Sequence, residues 1–323
     1  MGLLRDGKWV DEWYGTKASE GHFVRKSSQF RNWVTPEGNA GPTGIGGFRA
    51  EAGRYHLYIS LACPWAHRTL IFRTLKGLKD VISISSVHWY MAEHGWTFEA
   101  GDGVIPDNVN GSEFMHQVYT KAAPKYSGRV TVPVLWDKKT GTIVSNESSE
   151  IMRMFNSAFD GVGARAGDYY PKALRAQIDK VNDRIFNTLN DGVYRCGFAT
   201  TQAAYEAALT PLFDTLDWLE ARLSKTRYLT GSLITEADWR LFPTLIRFDP
   251  VYVGHFKCNL RRIIDYPNLS NYLLDLYQQP GIEETVNMQH IKEHYYASHE
   301  TINPSRVVPM GPDIDLTQAH NRV

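Results

Sequence analysis

The chain reads as an α/β layered part followed by an all-helical part. Two observations predict this. Strand-like and helix-like runs alternate between about residues 48 and 160 in the order β-α-β, long insertion, β-β-α. From about Pro171 onward, apolar residues recur at helical spacing. The expected division is an N-terminal arm (1–47), an α/β domain (48–160) and a helical domain with a C-terminal extension (168–323).

Residues 1 to about 45 are rich in Gly, Ser, Trp and Arg and run into Gly38-Asn39-Ala40-Gly41-Pro42-Thr43-Gly44-Ile45-Gly46-Gly47, predicting an extended, turn-rich arm. Residues 55–61 then alternate Tyr55/Leu57/Ile59 against His56/Tyr58/Ser60, the period of a strand with two unlike faces. Pro64 can take a first helical position, and Ala66, Leu70, Ile71 and Leu75 follow at helical spacing, with Gly77 as the stop. Further strands are expected at 81–87, 130–136 and 142–144, and a helix at 147–159. The insertion 88–127 is longer than an ordinary loop, which marks it as functional.

Three apolar stripes define the helical part: Leu174/Ile178/Val181/Ile185/Leu189, then Tyr205/Leu209/Leu212/Leu216/Leu219/Leu223 with Pro211 as a kink, then Leu269/Leu273/Leu276/Tyr277. Thr235-Glu236-Ala237-Asp238 fits a capping box at the start of another helix.

Composition narrows the function classes. The 35 basic and 35 acidic residues balance, so there is no electrostatic footprint for nucleic acid or an anionic membrane. No apolar run has the length of a membrane span, and Met1-Gly2-Leu3-Leu4-Arg5-Asp6 lacks the apolar core of a signal peptide. Three widely spaced cysteines suit a reducing compartment, so the expected location is the cytoplasm.

Cys63 carries the chemistry. It stands in Ser60-Leu61-Ala62-Cys63-Pro64-Trp65-Ala66-His67-Arg68, between the strand and the helix, where unpaired N–H groups and the helix dipole favour an anion. Cysteines in such positions have pKa values lowered from about 8.5 into the range of roughly 3.5–7.5. Ala66 stands where a Cys-x-x-Cys pair would place its second thiol, and Cys196 and Cys258 are remote in sequence. A mixed disulfide at Cys63 would therefore be resolved by an external thiol, which points to glutathione or a similar small thiol as co-substrate.

Two other stretches point to a ligand. Pro133 interrupts Val130-Thr131-Val132-Pro133-Val134-Leu135-Trp136, where proline implies an edge strand or a special conformation. Ser145-Asn146-Glu147-Ser148-Ser149-Glu150 crowds hydroxyls and N–H groups at another helix start, with Ser145 or Asn146 as a plain N-cap or the whole as a carboxylate-binding end. No metal site is assigned. His290 and His294 are spaced i, i+4 with His299 beyond, but without a His-Glu-x-x-His motif.

The Cys-Pro helix start, the Val-Pro strand, the Glu-Ser helix start and the capping box together resemble a glutathione transferase. That resemblance implies an α/β thioredoxin-like N-terminal domain plus an all-α C-terminal domain. Residues 60–68, Gly95-Trp96-Thr97-Phe98, the run 126–137, Asn190-Asp191-Gly192-Val193-Tyr194, the run 247–253 and Thr301-Ile302-Asn303-Pro304 closely resemble the bacterial glutathionyl-hydroquinone reductases, the Xi class. The stretch 99–112 has no clear counterpart.

The resemblance implies that Cys63 is the nucleophile and that Trp96 stacks beside glutathione. It places the cysteinyl and glycyl parts on Arg129, Val130, Thr131 and Val132, with a cis Val132-Pro133 bond, and the γ-glutamyl end on Glu147 and Ser148. Tyr194 matches the family's proton donor or acceptor, and Tyr252 and Tyr295 match tyrosines that assist the thiolate. It further implies a homodimer with glutathione as co-substrate and no tightly bound cofactor. Two other functions use the same features: a general thioltransferase or dehydroascorbate reductase of Omega type, and a non-catalytic glutathione-fold binding module.

Overall fold

The structure is a computed structural model that describes residues 2–322. The chain folds as two compact units. One comprises Met1–Trp13, Ser27–Asp168 and Thr285–His294; the other comprises Tyr14–Lys26, Tyr169–Glu284 and Tyr295–Val323.

The first unit is built on a mixed four-stranded sheet. Its strands are β3 (Tyr55–Ile59), β4 (Ser83–Ser86), β6 (Val134–Asp137) and β7 (Thr142–Ser145), in the order β4-β3-β6-β7. β3 runs parallel to β4 and antiparallel to β6, and β6 is antiparallel to β7. Helix α1 (Pro64–Leu75) makes the crossover from β3 to β4 and packs against α3 (Ser148–Ser157). At the start of β3, Arg54 forms a two-pronged pair with Asp137 at 2.8 and 2.6 Å, fastening it to the end of β6.

β3 departs from the expected two unlike faces, because all five of its residues are buried. The 88–127 insertion explains the burial of its polar side. Asp107 accepts the Tyr58 hydroxyl at 2.8 Å and the N–H groups of Val109, Asn110 and Ser112, while Ile105 exchanges two 3.0 Å backbone hydrogen bonds with Ser86 on β4. The insertion thus covers an edge strand that would otherwise present unpaired backbone groups. Its one helix is α2 (Met115–Ala122).

The expected strand 130–136 is broken. β5 (Gly128–Arg129) pairs elsewhere, and the Val132-Pro133 bond is cis, as the resemblance implied. Pro133 has no N–H to give to a ladder. The arm also holds more structure than an extended run: β1 (Leu3–Arg5) and β2 (Lys8–Val10) form a hairpin that adds to β5. Its two-residue turn, Asp6-Gly7, has φ of 47° and 76°, the conformation Asp-Gly favours.

The second unit is helical: α4 (Arg175–Ile185), α5 (Gly192–Gly197), α6 (Gln202–Leu223), α7 (Glu236–Arg247) and α8 (Pro267–Tyr277). α6 continues through Pro211. The capping box at α7 is present, with the Thr235 N–H donating to Asp238 at 2.8 Å. Wide π-type turns follow α4 at Phe186–Asn190 and α7 at Phe248–Tyr252, a helix irregularity often found at functional sites. The division between units falls inside α9 (Met288–Ser298), between His294 and Tyr295. Among the described residues, no helix is long and apolar enough to cross a membrane.

Candidate active site

Cys63 is the residue on which α1 starts. Its backbone is extended (φ −78°, ψ 122°), its carbonyl accepts the His67 N–H at 2.9 Å, and Pro64 opens the helix. The first-turn N–H groups, which have no partner within a helix, lie at this end with the positive end of the dipole. The Cys63 thiol reaches the Val132 carbonyl at 3.5 Å and is half-buried. Cys196 and Cys258 are fully buried, and burial together with the adjacent Cys196 thiol pushes the Cys258 thiol well up. Cys63 is therefore the accessible thiol.

The residues expected to hold glutathione all lie in the first unit, but they differ in what they present. Val130 and Val132 have buried side chains, leaving their main chain as the usable part. The Thr131 carbonyl accepts the Tyr119 hydroxyl at 2.9 Å, and Asn146 donates to the same hydroxyl at 3.1 Å. The Arg129 guanidinium bonds to the carbonyls of Glu12 and Trp13, the latter at 3.0 Å, so it fastens the arm. Trp96 is buried and stacks on His294, with ring centroids 4.8 Å apart; the His294 Nδ1 meets the Trp89 carbonyl at 2.8 Å.

At α3, the cap is Glu147 rather than Ser145 or Asn146. Its carboxylate accepts the Ser149 N–H at 3.1 Å and the Ser149 hydroxyl at 2.8 Å, and Ser28 donates to it at 3.1 Å. Ser145 and Asn146 are occupied instead by the Glu147 and Phe30 N–H groups. Burial pushes the Glu147 carboxyl up, but the bonds from Ser149 and Ser28 and the charge of Arg31 outweigh it and hold the carboxyl below its ordinary range. A fixed carboxylate there suits an ammonium group. Ser148 is buried at the first position of the helix.

The three tyrosines come together in the second unit. Tyr295 lies between the others, its hydroxyl 2.5 Å from that of Tyr194 and 3.1 Å from that of Tyr252. Tyr194 sits on α5, Tyr252 ends the π-type turn after α7, and Tyr295 comes from α9. Burial, then its two phenol neighbours, pushes the Tyr295 hydroxyl well above its ordinary value despite the charge of Arg247, so it stays protonated. This is a chain of phenols able to relay a proton.

Residues to which the sequence reading gave no part in glutathione binding or proton transfer support both groups, His294 having been weighed only for a metal. Ser28 holds Glu147, His294 backs Trp96, Tyr119 braces the Thr131 loop, and Arg25 lies over the Tyr194 ring. None belongs to a local motif with a chemical meaning. His290 bonds to the Asp102 carbonyl and His299 to His255, at 2.5 and 3.0 Å. Among the described residues, no three His, Cys, Asp or Glu side chains are grouped to hold a metal ion.

Comparison with known proteins shows the family. Family models described as "Glutathione S-transferase, N-terminal domain" and "Glutathione S-transferase, C-terminal domain" match residues 62–158 and 202–274. Glutathionyl-hydroquinone reductase YqjG of Escherichia coli K12 is 58% identical over 323 residues, covering 100% of this chain and 98% of that one. Glutathionyl-hydroquinone reductase PcpF of Sphingobium chlorophenolicum is 58% identical, covering 97% and 96%. The glutathione-bound structure of YqjG superposes with a TM-score of 0.92 at 56% identity, covering 99% of both chains. The Xi-class glutathione transferase of Natrialba magadii superposes with a TM-score of 0.94 at 48% identity, covering 100% and 97%.

Proposed function

The chain belongs to the glutathione transferase family, among the Xi-class glutathionyl-hydroquinone reductases, and on that premise we propose that it uses glutathione to reduce S-glutathionyl-hydroquinones through a Cys63–glutathione mixed disulfide. The observation that carries this reading is Cys63 at the start of α1 with Ala66 one turn on. A thiol at this position can form a disulfide, whereas a hydroxyl could only activate bound glutathione. With no second thiol in the motif, resolution falls to a second glutathione.

The Cys63 thiolate attacks the glutathionyl sulfur. An S–S bond forms, the carbon–sulfur bond breaks, and the ring carbon takes a proton from Tyr194 as the hydroquinone leaves. The second glutathione returns a proton to Tyr194 as its thiol ionises, and its thiolate attacks the mixed disulfide, giving oxidised glutathione and the Cys63 thiolate. Tyr295, held protonated, donates to the Tyr194 oxygen, and Tyr252 completes the phenol chain. Glu147 takes the γ-glutamyl ammonium with Ser148 beside it. Trp96 packs on the tripeptide, while Arg129, Val130, Thr131 and Val132 form the loop that receives its cysteinyl and glycyl parts.

Glutathione acts here as a co-substrate that comes and goes, not a resident cofactor. The protein works as a cytoplasmic homodimer. Omega-type thioltransferase activity and a purely binding role are not favoured, because the chain groups along its full length with reductases of glutathionyl-hydroquinones.

The test is steady-state release of hydroquinone from an S-glutathionyl-hydroquinone with excess glutathione, followed by chromatography. Release by the wild type that vanishes in Cys63→Ala supports the reaction and its nucleophile. No release by the folded wild type overturns it.

A further inference from the structure

The segment Tyr14–Lys26 belongs to the helical unit although it comes from the far end of the chain. Aromatic contacts hold it there. Tyr14 and Phe23 meet edge to face at 4.9 Å, and both pack on Phe198 just beyond α5, at 5.8 and 5.2 Å. Its ends are tied by hydroxyls, Thr16 to Thr200 at 2.8 Å and Thr201 to the Glu20 carbonyl at 3.0 Å.

That anchoring brings Arg25 to α5. Its guanidinium lies 4.9 Å from the Tyr194 ring centroid and 5.3 Å from that of Phe23, and Nε donates to the Asp191 carboxylate at 2.5 Å. Asp191 is itself buried and also receives Arg195 at 3.1 Å. The cation is thus clamped over the ring of one of the three tyrosines. Tyr194 is buried, and its hydroxyl is engaged by Tyr295 at 2.5 Å.

A phenol that gives up its proton in such surroundings acquires a negative charge with little solvent to stabilise it. A cation fixed over the ring supplies that stabilisation without reorganising, and its attraction rises as the charge develops. We propose that Arg25, delivered by the N-terminal arm and clamped by Asp191, is a positioning residue for hydroquinone release, stabilising the charge Tyr194 acquires when it protonates the departing ring. This rests on the reading of Tyr194 as the proton donor. The proton passes from the Tyr194 oxygen to the ring carbon as the carbon–sulfur bond breaks, and the second glutathione thiol restores it.

The test is a double-mutant cycle on single-turnover release of methylhydroquinone from its S-glutathionyl conjugate, using Arg25→Gln, Arg25→Lys, Tyr194→Phe and Arg25→Gln/Tyr194→Phe. The same proteins are assayed for exchange with the mixed disulfide of glutathione and 2-mercaptoethanol, whose leaving thiolate needs no proton on carbon. Arg25→Gln is expected to slow hydroquinone release roughly 10- to 100-fold more than it slows exchange, with Arg25→Lys recovering much of the loss. In the Tyr194→Phe background it should cost less than about threefold. An equal loss in both backgrounds, or an equal loss in both reactions, means that Arg25 only holds the fold and overturns the proposal. So does no loss at all. Failure of the wild type to release methylhydroquinone while it still exchanges disulfides overturns the reductase reading instead.

Discussion

His56 allows a quantitative test of how the strand leading to Cys63 is held. The ring is 2% exposed, with Nδ1 2.7 Å from the Ser83 hydroxyl and Nε2 2.9 Å from the Ser85 hydroxyl, and it meets the Tyr58 ring at 4.7 Å. Burial lowers its pKa to about 4; Asp107 opposes this, and Lys138 and Arg73 add to it. The ordinary value is 6.5. Between these values the unfolded chain binds a proton that the folded chain refuses. The stability is therefore complete above the unfolded pKa and is lost as pH falls from about 6.5 toward 4. From pH 7 to pH 4 the loss comes to about 3 kcal/mol.

The assay is denaturant unfolding followed by tryptophan fluorescence across that range, for the wild type and for His56→Gln, whose neutral amide can bond to the same serines. Carboxylates and other histidines titrate in both proteins and cancel in the difference. The wild type's advantage should shrink by about 3 kcal/mol on acidification. A difference constant to within about 0.5 kcal/mol between pH 7 and pH 4 would refute the reasoning.

Three further outcomes are expected. Asp137→Ala leaves the buried Arg54 guanidinium without its two-pronged partner and should cost about 3–5 kcal/mol, whereas Arg54→Met/Asp137→Leu should cost much less; thermal unfolding distinguishes them. Tyr295→Phe removes the hydroxyl between Tyr194 and Tyr252. It should lower kcat for hydroquinone release by roughly 10²- to 10⁴-fold with little change in KM, the mark of a proton-transfer defect. Ser28→Ala removes one of the bonds that hold Glu147. It should raise KM for glutathione several-fold at nearly constant kcat, and calorimetric titration with glutathione would show the same weakening.

What the sequence revealed depended on how local the determinants are. Cys63, Pro64 and the stripe of α1 fall within one strand–turn–helix passage, so the position of the thiol could be read directly. The same holds for Thr235 and Asp238, whose capping box spans four residues. The burial of His56 and Tyr58 was not legible, because Tyr58 is held by Asp107 about fifty residues on and the His56 ring by Ser83 and Ser85 of the neighbouring strand. Their alternation with Leu57 read as a strand with two unlike faces for that reason. The cap at α3 was misplaced by one or two residues because Ser145, Asn146 and Glu147 all carry acceptors, and only tertiary partners such as Phe30 and Ser28 decide among them. The β1–β2 hairpin did leave a signal in Asp6-Gly7, but strands of three residues are too short to show a period.

The tyrosine chain is the extreme case, and it bears on where this chain departs from the wider family. Tyr194 and Tyr295 lie outside the segments that match the two family domains, as do Arg25, Ser28 and His294. Cys63, Trp96, Glu147 and Tyr252 lie inside them. Disulfide exchange with glutathione needs a thiolate and a place for the tripeptide, which the family segments can supply. Placing a proton on an aromatic carbon needs an acid held protonated and a partner for the charge it leaves behind. In the proposed mechanism those groups come from the arm, from the stretch joining the two domains and from the last helix. On this view, grafting Cys63 and its loop onto a transferase without these segments would yield a thioltransferase and not a hydroquinone reductase. A graft that released hydroquinone as fast as the full chain would show that the thiol alone suffices.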